Sequence, residues 1–338
     1  MKSCLKINSV SDSSSAGYTP FQIRKAYNLS TKYSGGGIKI AVIAFFENPN
    51  IGRNLDVFSD EFSLKRTTIN TIGNATTKDF DFSAYIEPCV DTQWIHAISP
   101  ESELTVVYAP SYTPEGAMSA VELALDNGAD IIIQTYQAPF LEEYTRYSEV
   151  FRNASFIASA GDYGYGAFFP SCYENVISVG GTVLEIDSDG TRISEETVWS
   201  GTGGGISPYI DIPSYQRKFI PIDQITSGKR AVPDVSFLAS SSKGFSVYHS
   251  SADDRFGWYT VEGTSISASI IAGITANMMS AGFIGKENLP QVLYGLAGEL
   301  SYINKYNLYN DIKRGSNGKY TAMHGYDLCT GLGSLMNI

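Results

Sequence analysis

The segment Gly263-Thr-Ser-Ile-Ser-Ala-Ser-Ile-Ile-Ala-Gly273 sets Ser265 among glycine and small residues at the start of an apolar helical run. A hydroxyl placed there lies at the positive end of the helix dipole, where it can serve as a nucleophile. The same position suits an ordinary helix cap, and the segment alone leaves both uses of Ser265 open. A nucleophilic serine also needs a base, and the usual one is histidine. The chain has three, His96, His249 and His324, none in a glycine-rich setting suited to that task. All three read as surface or packing residues.

Carboxylates offer another base. Glu87 and Asp91 stand four apart in Glu-Pro-Cys-Val-Asp-Thr-Gln-Trp, a spacing that puts both on one face of a helix. Two carboxyl groups that close raise one pKa and share a proton. Such a pair can take a serine proton in acid, where histidine is already protonated. In isolation the spacing reads first as that of a solvated helix face. Pro88 fits the first turn of such a helix and biases Glu87 away from helical geometry. Asp162, in Ser-Ala-Gly-Asp-Tyr-Gly after an apolar strand, caps a turn if ionised. If protonated, it can donate to a developing oxyanion.

Asp311 and Asp327 lie among turn glycines near the end of the sequence. Two carboxylates and the carbonyls of irregular backbone suit a hard cation such as Ca²⁺, although the spacing is not an EF-hand and Asx-turns compete for it. The four cysteines, Cys4, Cys89, Cys172 and Cys329, are too few and too scattered for a disulfide scaffold, and no Cys-x-x-Cys pair suggests a thiolate metal site.

The elements that must position these groups alternate. Strand-like runs occur at Ile38–Phe45, Leu104–Tyr108, Asp130–Thr135, Ser155–Ala160 and Val176–Val179, with helical patterns at Pro114–Asn127 and Leu141–Asn153. Strands buried on both faces and separated by helices imply an α/β fold with a parallel sheet and helices on both sides. Asp187-Ser-Asp-Gly190 is a hairpin turn signal. Residues 18–338 read as one domain, and the Ser/Asp-rich residues 1–17 as a linker without the apolar core of a secretory signal. With 43% hydrophobic residues, 22 Tyr and 17 Phe, the 338-residue chain is not disordered. Its net charge of −11 argues against nucleic acid or an anionic membrane as partner. No run of about 18 apolar residues is present to span a bilayer.

Taken in order, the segments resemble the sedolisins, the serine-carboxyl peptidases. The resemblance runs from Tyr18-Thr-Pro to about Ser334. It is carried by Glu87-x-x-x-Asp91, Ser159-Ala-Gly-Asp162-x-Gly164, Val179-Gly-Gly-Thr182, Gly203-Gly-Gly-x-Ser207, Val232-Pro-Asp-Val-Ser236, Gly263-Thr-Ser265, Asn310-Asp-Ile312 and Gly325-Tyr-Asp-x-x-Thr-Gly-Leu-Gly333. It implies a subtilisin-like fold and an acid-acting peptidase working through an acyl-enzyme. Ser265 would be the nucleophile, Glu87 the base, Asp91 its orienting partner and Asp162 the oxyanion donor. One Ca²⁺ would be held by the side chains of Asp311 and Asp327 and the carbonyls of Ile312, Met323 and Gly325. The resemblance further implies a monomer acting on peptide or protein substrates, a separate or removed N-terminal prodomain, and an extracellular or acidic compartment. The sequence departs from the family at Ala44 and Tyr136, where some members carry a Glu and a Trp that extend the proton network. It also departs at Ser269, where proline is usual, and at Pro88.

Overall fold

In the computed structural model, the apolar run after the triple glycine forms the strand Lys39–Ala44, with every side chain after Lys39 buried. Ile40, Val42 and Ala44 join the apolar cluster on one face of the sheet, and Ala41 and Ile43 join that on the other. Cover on both faces is the parallel-sheet pattern. The structure describes residues 1–11, 14–217, 226, 228–251, 256–298 and 308–338.

Across the sheet the strands run Ile69–Gly73, Glu103–Tyr108, Lys39–Ala44, Ile131–Gln134, Ser155–Ser159, Val176–Val183, Val235–Ser240 and Ser334–Leu335, each parallel to its neighbour. Tyr309–Asn310 adds an antiparallel edge, and Thr197–Val198 pairs antiparallel with Val176–Val183. The helices Phe82–Ile98 and Thr264–Ser280 pack on one face through Ile86, Val90, Trp94, Ile266 and Ile270. Pro114–Asp126 covers the other through Ala117, Met118 and Val121. The expected α/β architecture, a parallel sheet between helices, is what forms. Asp234 pins its rear, accepting from the buried Arg230 guanidinium at 2.9 and 2.6 Å and from the Ser178 N–H at 2.8 Å.

Three local readings change. The helix containing Glu87 begins at Phe82, with the Asp81 carboxylate capping the Ser83 and Ala84 N–H groups. Pro88 therefore lies inside the helix, not in its first turn, and Glu87 is helical all the same. Burial of every residue from Ala84 to Ile98 holds the helix against the lost N–H. The pattern at Leu141–Asn153 yields a 3₁₀ helix, Glu142–Val150, in which only Tyr144 is buried. Too little apolar surface is covered there to sustain a full α-helix. Residues 1–17, read as a linker, contain the strands Lys2–Ser3 and Lys6–Ser11. Their order comes from pairing with Tyr136–Gln137 and with Trp258–Glu262, which no internal apolar pattern foretells.

Candidate active site

Four loops and helix starts meet at the carboxyl end of the parallel strands. Ser265 is the second residue of the helix Thr264–Ser280. It is not the cap: that position belongs to Gly263, at φ +146°, a conformation that L side chains rarely adopt. A β-carbon on Gly263 would lie 2.3 Å from the Cys4 carbonyl oxygen and 2.6 Å from Asp162 Oδ2. The bare glycine thus lets a peptide carbonyl and a carboxyl group close around the start of the helix.

The Ser265 hydroxyl donates to the Cys4 carbonyl oxygen at 2.5 Å, and the Ser265 N–H points to the same oxygen at 3.3 Å. Asp162 follows the strand Ser155–Ser159. Its Oδ1 accepts from the Thr264 N–H at 2.9 Å and the Thr264 hydroxyl at 2.7 Å. Its buried Oδ2 has no hydrogen-bond partner among the described residues. Burial drives the Asp162 pKa up to about 7 against the pull of the Thr264 donors, so in acid the carboxyl is neutral and carries a proton to donate.

Glu87 faces the Ser265 hydroxyl from the helix Phe82–Ile98 and also takes a hydrogen bond from the Ser3 hydroxyl. Burial, then the charge of Asp91, raises its pKa well above the carboxylate range, while the Ser265 and Ser3 hydroxyls oppose the rise. Asp91, one turn on, is fully buried. Its Oδ1 accepts from the Ser269 hydroxyl and its Oδ2 from the Thr135 hydroxyl, each at 2.7 Å. Burial lifts Asp91 to about 7. The charge of Asp91 beside Glu87 links the titrations of the two carboxyl groups.

Ser265, Glu87, Asp91 and Asp162 thus come together from distant parts of the chain. The histidines do not join them: His96 Nε2 lies 2.7 Å from the Lys65 carbonyl, His249 packs beside Cys89 and Asn48, and His324 pairs with Asp311. At the departures, Ala44 brings no polar atom, and the Tyr136 hydroxyl donates to Gln134 at 2.7 Å. Thr135 and Gln137 were not singled out from sequence, and Ser269 was noted only as a departure from the usual proline. Gln137 Oε1 accepts from the Asp162 N–H at 2.7 Å and so helps to orient that carboxyl group. Only the position of Ser269, four residues after Ser265, could have signalled its reach to Asp91.

A model of the subtilase family matches residues 84–288, more than half of the chain and all four site residues. The chain belongs to the subtilase family. Its curated relatives include sedolisin and kumamolisin. Sedolisin from Pseudomonas sp. (strain 101) is 34% identical over 51% of this chain and 29% of its own length. Kumamolisin from Bacillus sp. (strain MN-32) is 27% identical over 95% of the chain and 62% of its own length. The chain thus spans less than two thirds of either relative. A solved structure of Pseudomonas sedolisin, a serine-carboxyl proteinase complexed with two molecules of pseudo-iodotyrostatin, matches the fold at TM-score 0.78 and 24% identity, covering 95% of this chain and 96% of that one.

Of the five expected cation ligands in this subtilase-family chain, Asp311 and Asp327 both bond to the loop of residues 323–325. Asp311 Oδ1 accepts from the Gly325 N–H at 3.1 Å, and Asp327 Oδ2 from the Met323 N–H at 3.2 Å. Asp327 Oδ1 accepts from the Cys329 and Thr330 N–H groups, both at 2.8 Å. The four cysteines are free and buried. Among the described residues, no helix is long and apolar enough to cross a membrane.

Proposed function

We propose that the chain hydrolyses peptide bonds in acid by a serine-carboxyl mechanism. The observation that carries this reading is the peptide carbonyl of Cys4 set against the Ser265 hydroxyl and N–H, with the open oxygen of Asp162 beside it. Ser265 Oγ adds to a substrate carbonyl carbon while its proton passes to Glu87. The base is the form of the pair that carries one proton between its two carboxyl groups, with Glu87 ionised as Ser265 attacks. The carbonyl oxygen takes the negative charge and is held by the Ser265 N–H and the proton on Asp162 Oδ2. Collapse breaks the C–N bond, Glu87 returns the proton to the leaving amine, and an acyl-Ser265 ester remains. Water then attacks the ester with Glu87 again as base, releasing the acid and Ser265.

Ca²⁺ binding belongs to the same proposal. Two carboxylates bonded to one irregular loop are the donor type that suits a hard cation, and Asp311, Asp327 and the carbonyls of Ile312, Met323 and Gly325 would hold it. A bound ion would tie the C-terminal loops together, away from the reacting bond. Peptides or proteins are the substrates proposed, with a monomer, a separate or removed prodomain and an acidic or extracellular setting as the working context.

The test is cleavage of a mixed quenched-peptide library at acidic and neutral pH with Ca²⁺ present. Cleavage confined to acid and lost in Ser265→Ala supports the reading. No cleavage by folded protein would overturn it in favour of a module that grips a peptide without cutting it.

A further inference from the structure

The first residues of the chain lie in the groove as a peptide would. Lys2 and Ser3 pair antiparallel with Gln137 and Tyr136, and the Cys4 N–H donates to the Thr135 carbonyl at 3.1 Å. This is recognition by strand addition: the backbone supplies hydrogen bonds, and pockets for side chains supply specificity. Beyond Leu5 the chain continues as Lys6–Ser11, paired antiparallel with Trp258–Glu262. The bond facing Ser265 is therefore Cys4–Leu5, and the flanking side chains report what each position of the groove accepts.

The Cys4 side chain is wholly buried, its Sγ 3.5 Å from Gln137 Oε1, with the Ser159 and Thr264 hydroxyls beside it. That pocket is closed, small and polar. Two residues before the bond's acyl residue, the Lys2 ammonium lies 4.3 Å from the centre of the Tyr163 ring. Two residues beyond that acyl residue, the Lys6 ammonium lies 4.6 Å from the centre of the Trp199 ring, and Lys6 pairs in register with Glu262. Aromatic faces attract cations, more strongly as water is excluded. Two such faces flank the bond, on a chain of net charge −11.

We propose that the groove selects basic peptides: a small side chain bearing a hydroxyl or thiol on the acyl side of the cleaved bond, with a lysine or arginine on Tyr163 and another on Trp199. This specificity rests on the peptidase reading above.

The test measures kcat/KM in acid for quenched peptides built on Lys-Ser-Ser-Leu-Lys, alongside the mixed library. Replacing either lysine by alanine is expected to lower kcat/KM by roughly two- to fivefold, the range of a cation–aromatic contact. Replacing the central serine by phenylalanine is expected to lower it roughly tenfold or more, because the pocket has no spare volume. Tyr163→Leu, at an exposed ring whose loss leaves the core intact, is expected to erase the preference for lysine at the first position only, and Trp199→Leu at the second only. Library cleavage without these preferences, or preferences unmoved by both variants, overturns the specificity and leaves the peptidase reading standing. Failure of the enzyme to cleave any library member sinks both.

Discussion

The Ser269 hydroxyl donates to Asp91 Oδ1 at 2.7 Å and also lies 2.9 Å from the Ser265 carbonyl oxygen. One side chain thus links the helix that carries the nucleophile to the carboxylate behind the base. Together with Thr135 it favours the ionised form of Asp91 and restrains a pKa that burial has raised to about 7. Ser269→Ala is expected to move the Asp91 titration above about 7, followed by carboxyl ¹³C NMR on a Ser265→Ala background. An unchanged or lower midpoint would contradict the assigned role.

Asp162 must keep its proton to stabilise an oxyanion, and its pKa is about 7. Activity is expected to fall as pH rises through that value. Asp162→Asn retains a donor that does not titrate, so its activity, although lower in acid, should persist further into neutral pH. Asp162→Ala should lose roughly 10²–10³ in kcat. Identical pH profiles for the wild type and Asp162→Asn would exclude this role.

Stability should follow the same groups. The folded pKa values of Glu87, Asp91 and Asp162 are raised, so the folded state retains protons that the unfolded chain releases above about pH 4. Their contribution is full below that pH and is lost as pH rises through the folded values, near 7 for Asp91 and Asp162. For Ser265→Ala, which cannot digest itself, Tm is expected to decline from pH 4 to pH 7. Adding Asp162→Asn should flatten the decline. A slope unaffected by that substitution would assign the pH dependence to other groups.

The placement of Cys4–Leu5 at Ser265 predicts a reaction within the chain. Incubated in acid, the wild-type protein should acquire a new amino terminus at Leu5, visible by intact-mass measurement and N-terminal sequencing, and Ser265→Ala should not. A different Ser265-dependent terminus would mean that the groove binds the segment in another register.

The loop that joins Asp311 and Asp327 predicts a response to Ca²⁺. Added Ca²⁺ should raise Tm, by an amount corresponding to about 2.7 kcal/mol at a hundred times the Kd. Chelation should reverse the gain, and Asp311→Asn with Asp327→Asn should abolish it. A Ca²⁺ response retained in the double variant would place the ion elsewhere.

The alternation of apolar runs with helical patterns was enough to specify a parallel sheet between helices, because strands buried on both faces leave a continuous apolar signature, as in Lys39–Ala44. The types and spacings of Ser265, Glu87, Asp91 and Asp162 marked them as chemically able, since a hydroxyl at a helix start and carboxylates one turn apart are local facts. Their partnership was not local. Only the fold brought the helices Phe82–Ile98 and Thr264–Ser280 together and buried the carboxyl groups, and burial is what raises the pKa values. The contact of Ser269 with Asp91 and the path of Lys2–Ser11 through the groove were equally hidden. A polar segment that borrows its order from the edges of distant strands has no periodic pattern of its own, so tertiary structure alone decides where it lies.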